Sequence, residues 1–311
     1  MDSELDYLAL LENIRYGEGV DSTDRTGVGT RKIFGSSLRF DLREDVIPVL
    51  TTKKIYWKAV VEELLWFIRG STNSKLLANK GVNIWDGNSS RTFLDSRNLE
   101  YPEGLIGPGY GHQWRNWGGK YVISSCKEQV FKNGVNVGTT DIGTDTIKRG
   151  DGVDQLQECL YKLKYNRDDR RIIVSAWNVS QLHEMALPPC HLLFQFGVLG
   201  DELHCSWYQR SVDTFLGLPF NIASYGLLTH LMAKAAGLKP GTITFFGADV
   251  HIYNSHFDAV DKQLDREIEH GFPTIDIPDV SSLEDIEQLD YTMLPLKNYY
   301  PQSTIKASMA V

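Results

Sequence analysis

Alternating helix and strand patterns in the second half of the chain constrain its fold more than any other feature. Apolar residues recur at helical spacing in two segments, VDQLQECLYKLKY and IASYGLLTHLMAKAAG. Strand patterns occupy four segments: RIIVSAWN, HLLFQFGVL, LHCSWYQRS and TITFFGADV. Helices and strands mixed in this way predict an α/β (α+β) fold in which a sheet packs against helices.

The first half contributes further helices and a strand. An apolar stripe at helical spacing predicts a helix over residues 2–16, and its members are Leu5, Leu8, Leu11 and Ile14. KIFGSSLRFDL is a predicted strand, and YWKAVVEELLWFIRG is a predicted buried helix. That helix carries adjacent carboxylates at Glu62 and Glu63, and we expect one of them to point inward.

We expect a single domain over residues 1–311, because no repeat, low-complexity block or linker divides the chain. Between about residues 121 and 152 the periodic patterns give way to glycine, asparagine and threonine, as in KNGVNVGTTDIGTDTIKRGDG. This composition predicts a surface insertion.

Composition and charge exclude several classes of protein. Hydrophobic residues make up 42% and charged residues 23%, as in ordinary soluble proteins. The 32 basic and 40 acidic residues give a net charge of -8, which argues against a surface devoted to nucleic acid. No signal peptide and no run of roughly 20 apolar residues is seen, so we expect a cytoplasmic protein with no membrane span.

The four cysteines indicate neither a zinc site nor a disulfide framework. They have no CxxC pairing and no close Cys/His spacing, and they are Cys126, Cys159, Cys190 and Cys205. No metal is therefore expected. The chain also has no Walker A motif and no GxGxxG that opens a helix, so side chains must bind any nucleotide phosphate.

The segment MALPPCHLLFQFGV fixes a thiol in place. Two prolines stiffen the backbone before Cys190, and His191 follows it. A lone cysteine beside a strand is commonly a small buried hydrophobe. In this context Cys190 is instead a candidate nucleophile.

Arginines recur in polar turns and at strand ends, at Arg25, Arg170, Arg171 and Arg210. The planar guanidinium donates paired hydrogen bonds to a phosphate, and its charge also stabilises a thiolate. Solvated surface arginines are the alternative interpretation for each of them.

Further polar residues can recognise a nucleoside. Ser211, Asp213 and Asn221 surround a glycine and proline turn, and the asparagine amide matches the adjacent acceptor and N–H of uracil, whereas cytosine reverses that pattern. His251 and Tyr253 lie two apart on a predicted strand, so they face one side and can hold a sugar hydroxyl. A helix cap and a structural histidine are the simpler alternatives.

Glu63 lies in a helix dominated by apolar residues. A partly buried carboxyl there is suited to proton transfer, and an exposed helix face is the alternative.

Together these motifs resemble the thymidylate synthase family over nearly the entire chain. The motifs, in order, are DRTGVGT, LTTKK, EELLWFIRGSTN, IWDGN, YGHQWR, DDRRIIVSAWN, MALPPCH, QRSVD, FLGLPFNIASY, DVHIY and the terminal MAV. The resemblance is greater to the eukaryotic and large-virus branch than to the short bacterial form. It implies a large mixed sheet packed with helices and a sheet-to-sheet homodimer.

The resemblance implies that the thiol adds to carbon 6 of dUMP, so that carbon 5 attacks the one-carbon unit of 5,10-methylenetetrahydrofolate and dTMP and dihydrofolate result. Asn221 would fix the pyrimidine, and Glu63 with Tyr110 would move protons. The implied catalytic residues are Cys190, Glu63, Asn221, Tyr110, Asp213, Arg210, His191 and Trp85.

The same resemblance implies the binding sets for both substrates. The residues for dUMP are Arg25, Arg170, Arg171, Arg210, Ser211, Asp213, Asn221, His251 and Tyr253, of which Arg170 and Arg171 reach across from the second subunit of a homodimer. The residues for the folate are Lys53, Ile84, Trp85, Asn88, Asp213, Leu216, Gly217, Phe220, Lys306, Met309, Ala310 and Val311. Lys53 and Lys306 would meet glutamyl carboxylates, and the tail would close as a lid.

Three positions depart from the family pattern. Leu105 replaces an acidic residue and Gly109 replaces valine in GLIGPGYG, and Arg167 stands where proline is common. The insertion is also longer than the family implies.

Two alternatives stay open at the level of sequence. A dUMP hydroxymethylase shares the early chemistry but lets water capture the methylene, whereas Trp85 and the intact MAV tail favour water exclusion. An RNA-binding regulatory protein is an alternative of another class, and the net charge of -8 disfavours RNA binding except as a side activity. A dCMP-specific enzyme is disfavoured because Asn221 is not aspartate.

Overall fold

Helices and strands alternate through the structure, a computed structural model that describes residues 4–24, 26–123, 125–132, 135–144 and 151–309. The helices are α1 Glu4–Tyr16, α2 Trp57–Ile68, α3 Lys75–Ala78, α4 Asp86–Ser89, α5 Arg91–Ser96, α6 Tyr110–Asn116, α7 Gln155–Tyr165, α8 Gly217–Ala236, α9 Phe257–Leu264 and α10 Leu283–Glu287. The strands are β1 Val20–Ser22, β2 Thr30–Asp41, β3 Ser125–Lys132, β4 Val135–Thr144, β5 Ile173–Ser175, β6 His191–Leu199, β7 Glu202–Asp213, β8 Lys239–Tyr253, β9 Thr274–Ile275 and β10 Leu296–Lys297. None of the described helices combines the length and apolar character needed to cross a bilayer.

The chain divides into two compact units. The first unit comprises Met1–Val61, Cys159–Ile173 and Cys190–Val311, and the second comprises Glu62–Glu158 and Val174–Pro189. The single domain expected over residues 1–311 stays a prediction.

A six-stranded mixed sheet with the order β1-β2-β8-β7-β6-β5 confirms the predicted mixed α/β class. β2 pairs with β8 and β6 with β7 in antiparallel fashion, whereas β7 and β8 are parallel. Parallel neighbours need a crossover connection, and α8 supplies it. The helix ends at Gly237, whose φ of 66° is the left-handed conformation that glycine adopts without a Cβ clash.

One face of this sheet forms the core of the first unit. A cross-strand row of apolar side chains runs along it, through Phe194, Trp207, Phe245 and Leu38, all of them buried. The Trp207 ring stacks on Tyr225 of α8 with the ring centroids 4.6 Å apart. Since α8 is apolar on most sides, the majority of its residues are buried.

The N-terminal helix confirms the predicted element but corrects its buried face. Leu5 is exposed and Leu8 is only half-buried, and the residues that are buried with Ile14 and Leu11 are Tyr7 and Leu10. The face is rotated because Glu4 also turns inward to a polar contact, which an apolar stripe cannot predict.

Several boundaries also differ from the predicted ones. The predicted strand RIIVSAWN is a strand only over Ile173–Ser175. Helix α8 begins at Gly217, five residues before the predicted start, since Pro219 fits a first helical turn. Two parts of the expected insertion form the antiparallel pair β3 and β4, and the rest of residues 124–150 lies outside the described residues.

The structure shows the surroundings of the three residues that depart from the family pattern. Leu105 is buried, and Gly109 immediately precedes α6, where a Cβ would lie 2.9 Å from Ile106 Cδ1. Arg167 donates to the carbonyls of Leu163 and Ala236 at 3.1 and 3.4 Å. The guanidinium therefore satisfies carbonyls at the ends of α7 and α8.

A buried carboxylate joins α1 to the turn that precedes α2. Glu4 accepts hydrogen bonds from the backbone N–H and the hydroxyl of both Thr51 and Thr52. Such a carboxylate is stabilised only while its donors are present, because burial removes its hydration. Glu4 thereby fixes the backbone that leads into Lys53.

We predict that Glu4→Ala lowers the free energy of unfolding by about 3 kcal/mol, because four buried donors lose their acceptor. The measurement is equilibrium urea denaturation of both proteins. Glu12→Ala, which removes an exposed carboxylate from the same helix, should change the value by less than about 0.5 kcal/mol. Equal effects of the two substitutions would contradict the role assigned to Glu4.

Candidate active site

Cys190 lies in the first unit immediately before β6, next to the neighbouring strand β7. The Arg210 N–H donates to the Cys190 carbonyl at 2.8 Å, and the Arg210 guanidinium Nη2 lies 3.9 Å from the Cys190 Sγ. The cysteine is half-buried. A positive charge beside a sulfur stabilises the thiolate, which is the nucleophilic form.

His191, the residue after Cys190, is held as a neutral side chain. Its Nδ1 lies 2.8 Å from the hydroxyl of Tyr225, and burial lowers its pKa to about 3. The imidazole therefore exchanges hydrogen bonds without carrying a charge at neutral pH. Sequence reasoning missed Tyr225, although it lies four residues after Asn221 and so shares a face of α8 with it.

A glutamine fixes the amide of Asn221. Gln209 Nε2 donates to Asn221 Oδ1 at 3.1 Å and to the Ser211 carbonyl at 3.2 Å. Trp207 Nε1 in turn donates to Gln209 Oε1 at 3.4 Å. These contacts orient the Asn221 side chain, and Gln209 had no signal in the sequence apart from its place in QRSVD.

Asp213 organises the turn that enters α8. Its Oδ1 accepts from the backbone N–H of Phe215 at 3.1 Å and of Leu216 at 3.0 Å. Leu216, Gly217 and Phe220 of the same stretch are half-buried, so each keeps surface for a ligand. The β7 and β8 register sets Asp213 opposite His251.

His251 and Tyr253 lie side by side on β8, with ring centroids 5.1 Å apart. His251 Nδ1 is 2.9 Å from Asp249 Oδ1, and Lys32 Nζ is 2.7 Å from Asp249 Oδ2. When Nδ1–H donates to Asp249, Nε2 is left as an acceptor for a hydroxyl.

Asp24 stabilises the DRTG loop through hydrogen bonds to its backbone. Asp24 accepts from the backbone N–H of Thr26 at 2.7 Å and of Gly29 at 2.6 Å, and hydrogen bonding from Thr26 lowers the pKa of its carboxyl. Asn254 N–H donates to the Gly29 carbonyl at 3.0 Å, which attaches the loop next to Tyr253. Arg25 of this loop lies outside the described residues.

Lys53 is buried, so its ammonium is enclosed by protein. Its Nζ donates to the Phe215 carbonyl and lies 3.4 Å from the centroid of the Phe215 ring. Burial lowers its pKa to about 7, against the opposing attraction of Asp213 and Glu4. Lys306 and Met309 of the tail are exposed, and Ala310 and Val311 lie outside the described residues.

Arg170 and Arg171 are exposed on the first unit, in the loop before β5. Arg171 Nε lies 2.9 Å from Asp169 Oδ1, and this contact lowers the pKa of Asp169. The Arg170 carbonyl accepts from Gln195 of β6 at 3.0 Å, which ties the loop to the sheet edge.

The second unit holds the carboxylates of α2. Trp85 Nε1 donates to Glu63 Oε1 at 2.7 Å, and Glu62 Oε2 lies 2.5 Å from Lys80 Nζ. Burial raises the pKa of Glu63 to about 7, although the Trp85 hydrogen bond opposes the shift. Glu62 is buried and Glu63 is partly buried, so both turn inward where one was expected. A carboxyl with a pKa near 7 can both accept and donate a proton at neutral pH.

Aromatic rings support the Trp85 indole. Its centroid lies 5.8 Å from that of Trp66 and 6.2 Å from that of Tyr110. Ile84 and Asn88, before and within α4, are half-buried. No group of three metal-ligating side chains occurs within the part of the chain that the structure describes.

The chain is similar to known proteins over nearly its whole length. The family model described as "Thymidylate synthase" matches residues 5–311. The thymidylate synthase of Ascaris suum is 46% identical over 311 residues, which are 100% of this chain and 98% of that protein. The human thymidylate synthase is 46% identical over 309 residues, with 99% and 91% covered.

A bifunctional dihydrofolate reductase-thymidylate synthase of Leishmania amazonensis is also similar. It is 47% identical over 312 residues, which are 99% of this chain and 55% of that protein. The chain therefore spans about half the length of this bifunctional relative.

We predict that Glu63→Gln stabilises the protein increasingly between pH 4.5 and 7. The folded protein favours the protonated Glu63, whose pKa of about 7 exceeds the ordinary value of 4.5. As the pH rises above 4.5, the free energy of unfolding of the wild type therefore falls relative to that of Glu63→Gln. The difference reaches about 3 kcal/mol at pH 8. Urea denaturation at several pH values measures the difference.

The matched control is Glu12→Gln, on an exposed helix face, whose difference from wild type should stay flat with pH. A flat difference for Glu63→Gln as well would show that burial does not hold Glu63 protonated.

Proposed function

The chain belongs to the thymidylate synthase family, and we propose that it reductively methylates dUMP to dTMP, using 5,10-methylenetetrahydrofolate as the second substrate and releasing dihydrofolate. It is thus a methyltransferase of deoxynucleotide synthesis. The observation that carries the residue assignment is the pairing of the Cys190 sulfur with the Arg210 guanidinium at 3.9 Å. A thiolate in this setting is a competent nucleophile for an electron-poor pyrimidine carbon.

Cys190 begins the reaction by adding to carbon 6 of dUMP, which makes carbon 5 a nucleophile. The folate supplies the one-carbon unit and the hydride. Negative charge that develops at oxygen 4 of the ring is met by a proton from the Glu63 side, through ordered water. The pKa of about 7 supports this role, since Glu63 can return and accept protons in one cycle. Tyr110 assists in this proton movement, and His191 stays neutral and keeps its hydrogen bond to Tyr225.

Asn221 reads the pyrimidine edge. Its Oδ1 has two lone pairs, so it accepts from the uracil N–H as well as from Gln209, while its N–H group donates to oxygen 4. Because Gln209 fixes the orientation of the amide, a cytosine edge would meet donor against donor. This supports a preference for dUMP over dCMP.

Charged and hydroxyl groups bind the rest of dUMP. Arg210 and Ser211 on β7, with Arg25, hold the phosphate dianion. His251 and Tyr253 bind the ribose hydroxyl, and the Asp249 contact leaves His251 Nε2 as the acceptor.

The residues proposed for the folate fall into two sets, which are described separately. In the first unit, Asp213 orders the turn, and the half-buried Leu216, Gly217 and Phe220 offer surface for the ligand. In the second unit, Trp85 with Ile84 and Asn88 offers an aromatic surface held by the Glu63 hydrogen bond. The exposed Lys306 is suited to glutamyl carboxylates, whereas Lys53 is enclosed and supports the α8 turn instead. The tail, with Met309 and Ala310, excludes water.

We also propose a homodimer joined through the outer face of the sheet. A row of apolar side chains on that face is solvent-exposed, with Leu193 at 39%, Tyr208 at 39% and Phe246 at 46%. Side chains of this kind on adjacent strands indicate an interface. The exposed Arg170 and Arg171 then serve the phosphate of the other subunit. A nucleophilic thiol also suits the reducing cytoplasm, which is the compartment we propose.

The names of the relatives support methylation, and they give no support to the hydroxymethylase alternative. Nothing in the described structure favours RNA binding as a main function.

We predict that the protein, incubated with dUMP and methylenetetrahydrofolate, yields dTMP and dihydrofolate by mass analysis. Cys190→Ser should lower kcat at least about 1,000-fold while dUMP still binds, because only the nucleophile is lost. Hydroxymethyl-dUMP with tetrahydrofolate as products would overturn the proposed function. A Cys190→Ser variant with most of its turnover would overturn the covalent mechanism.

We predict that Phe246→Asp converts a dimer to a monomer, since it puts a charge at the β8 end of the exposed apolar row, on its most exposed member. Analytical ultracentrifugation measures the mass, and the monomer should bind dUMP weakly because it lacks the partner's arginines. Tyr165→Asp changes a side chain that is 72% exposed on α7, away from the sheet face, and should leave the mass unchanged. A wild-type monomer with full activity would contradict the proposal.

A further inference from the structure

Lys32 lies on β2 directly opposite His251 of β8. The antiparallel register pairs Lys32 with His251 and Phe34 with Asp249. Paired residues of an antiparallel sheet project to the same face, and so do residues two apart on one strand. Lys32 therefore shares one face of the sheet with Asp249 and His251.

Asp249 joins the lysine to the histidine with one carboxylate oxygen for each. Its Oδ1 lies 2.9 Å from His251 Nδ1, and its Oδ2 lies 2.7 Å from Lys32 Nζ. The side chains of Lys32 and Asp249 are 35% and 31% exposed, whereas that of His251 is only 8% exposed. An ionised carboxylate only accepts, so Nδ1 carries the proton in this contact and Nε2 is an acceptor.

Two other carboxylates near His251 already bind backbone groups. Asp213 lies opposite His251 on β7, and its Oδ1 accepts from the backbone at the entrance to α8. Asp24 accepts from backbone N–H groups of its own loop. Asp249 is therefore the carboxylate that determines which nitrogen of His251 carries the proton, and Lys32 fixes the place of Asp249.

We propose that Lys32 is a positioning residue for the sugar of dUMP. It holds Asp249 against His251 Nδ1, so that Nε2 is presented as an acceptor to the 3′-hydroxyl of the deoxyribose. This role rests on the proposed function, because it concerns the binding of dUMP. Lys32 acts through Asp249 and His251, so its effect is confined to one hydroxyl.

A surface ion pair is the simpler explanation of the Lys32 contact, and such pairs contribute little to stability. The position of the pair favours the further role, because the other oxygen of the same carboxylate bonds a nearly buried imidazole. The terminal torsion of an aspartate is soft. Without the ammonium, the partly exposed Asp249 turns its carboxylate toward water and releases His251 from a single orientation.

Three variants isolate the contact. Lys32→Met keeps the unbranched apolar stem of the side chain and removes its charge, whereas Lys32→Arg keeps a cation that can bond the same oxygen. Lys239→Met is the matched control, since Lys239 lies at the other end of β8 and its Nζ is 2.8 Å from Asp201 Oδ2. The control removes an equal charge from an ion pair of nearly equal length.

The first measurement is the Kd of each protein for dUMP and for 2′,3′-dideoxyuridine 5′-monophosphate, which lacks the 3′-hydroxyl, by isothermal titration calorimetry. Lys32→Met should bind dUMP about fivefold more weakly, as for loss of one hydrogen bond, and the dideoxy nucleotide within about twofold of the wild type. Lys32→Arg should bind dUMP within about twofold of the wild type. Lys239→Met should match the wild type for both nucleotides.

Both nucleotides carry the same phosphate, so a general loss of positive charge would weaken them alike. An equal loss of affinity for the two nucleotides in Lys32→Met, or no loss for either, would overturn the role of Lys32. A Lys32→Arg variant as weak as Lys32→Met would also overturn it. Binding needs no folate and no turnover, so a wild type that binds dUMP but forms no dTMP would contradict the proposed function alone.

A second measurement uses the unaltered chain and so does not depend on folding of a variant. Histidine-selective 15N NMR of the wild type at pH 8 should show His251 with a protonated Nδ1 and an unprotonated Nε2. The opposite tautomer would overturn the assignment of Nε2 as the acceptor, and with it the role of Lys32.

Discussion

The backbone hydrogen bond from Arg210 to Cys190 is the constraint on which the rest of the site depends. It adjoins the pairing of β6 with β7 and so places the main chains of Cys190 and Arg210 next to each other. The pairing shifts register between His191 and Leu193, immediately after the cysteine. Such a bulge re-aims the side chains beside it. Main-chain geometry thus sets Cys190 and Arg210 side by side, and the arginine side chain then reaches the sulfur.

Burial shifts the pKa of three side chains, and each of them has a different partner. It keeps His191 neutral, it brings Glu63 to a pKa of about 7, and it brings Lys53 to a similar value. The common cause is loss of hydration, which disfavours the charged form of acids and bases alike. The consequences differ with the partner available. Tyr225 gives His191 a neutral contact, Trp85 gives Glu63 a donor, and a carbonyl accepts from Lys53.

The spacing of apolar residues in the sequence predicted helices and strands that pack an apolar face against a neighbouring element. The strand HLLFQFGVL coincides with β6, and the buried helix before Gly70 coincides with α2, since apolar residues at fixed spacing determine both. Periodicity failed where a single distant polar contact decides the outcome. Glu4 rotates α1 toward Thr51 and Thr52, which lie 47 and 48 residues away. No local pattern contains that pairing.

In the candidate site, too, some residues could be predicted from local sequence and others could not. Motifs indicated the residues proposed to contact the substrates, because their chemistry is visible in the residue type. Gln209, Tyr225 and Lys32 were not predicted, because each acts on another side chain or on main chain that the fold brings near. Only the spacing of Tyr225 from Asn221 could have indicated one of them.

Trp207 shows why these supporting residues form one system. Its ring stacks on Tyr225, which contacts His191, and its Nε1 donates to Gln209, which fixes Asn221. One indole therefore supports both His191, which follows the proposed nucleophile in the chain, and Asn221, which is proposed to recognise the pyrimidine. A phenyl ring could keep the stacking but has no N–H, so the two supports need tryptophan at the centre of the sheet. Trp207 thus belongs to the buried apolar row of the core and also contacts Gln209, a polar residue of the candidate site.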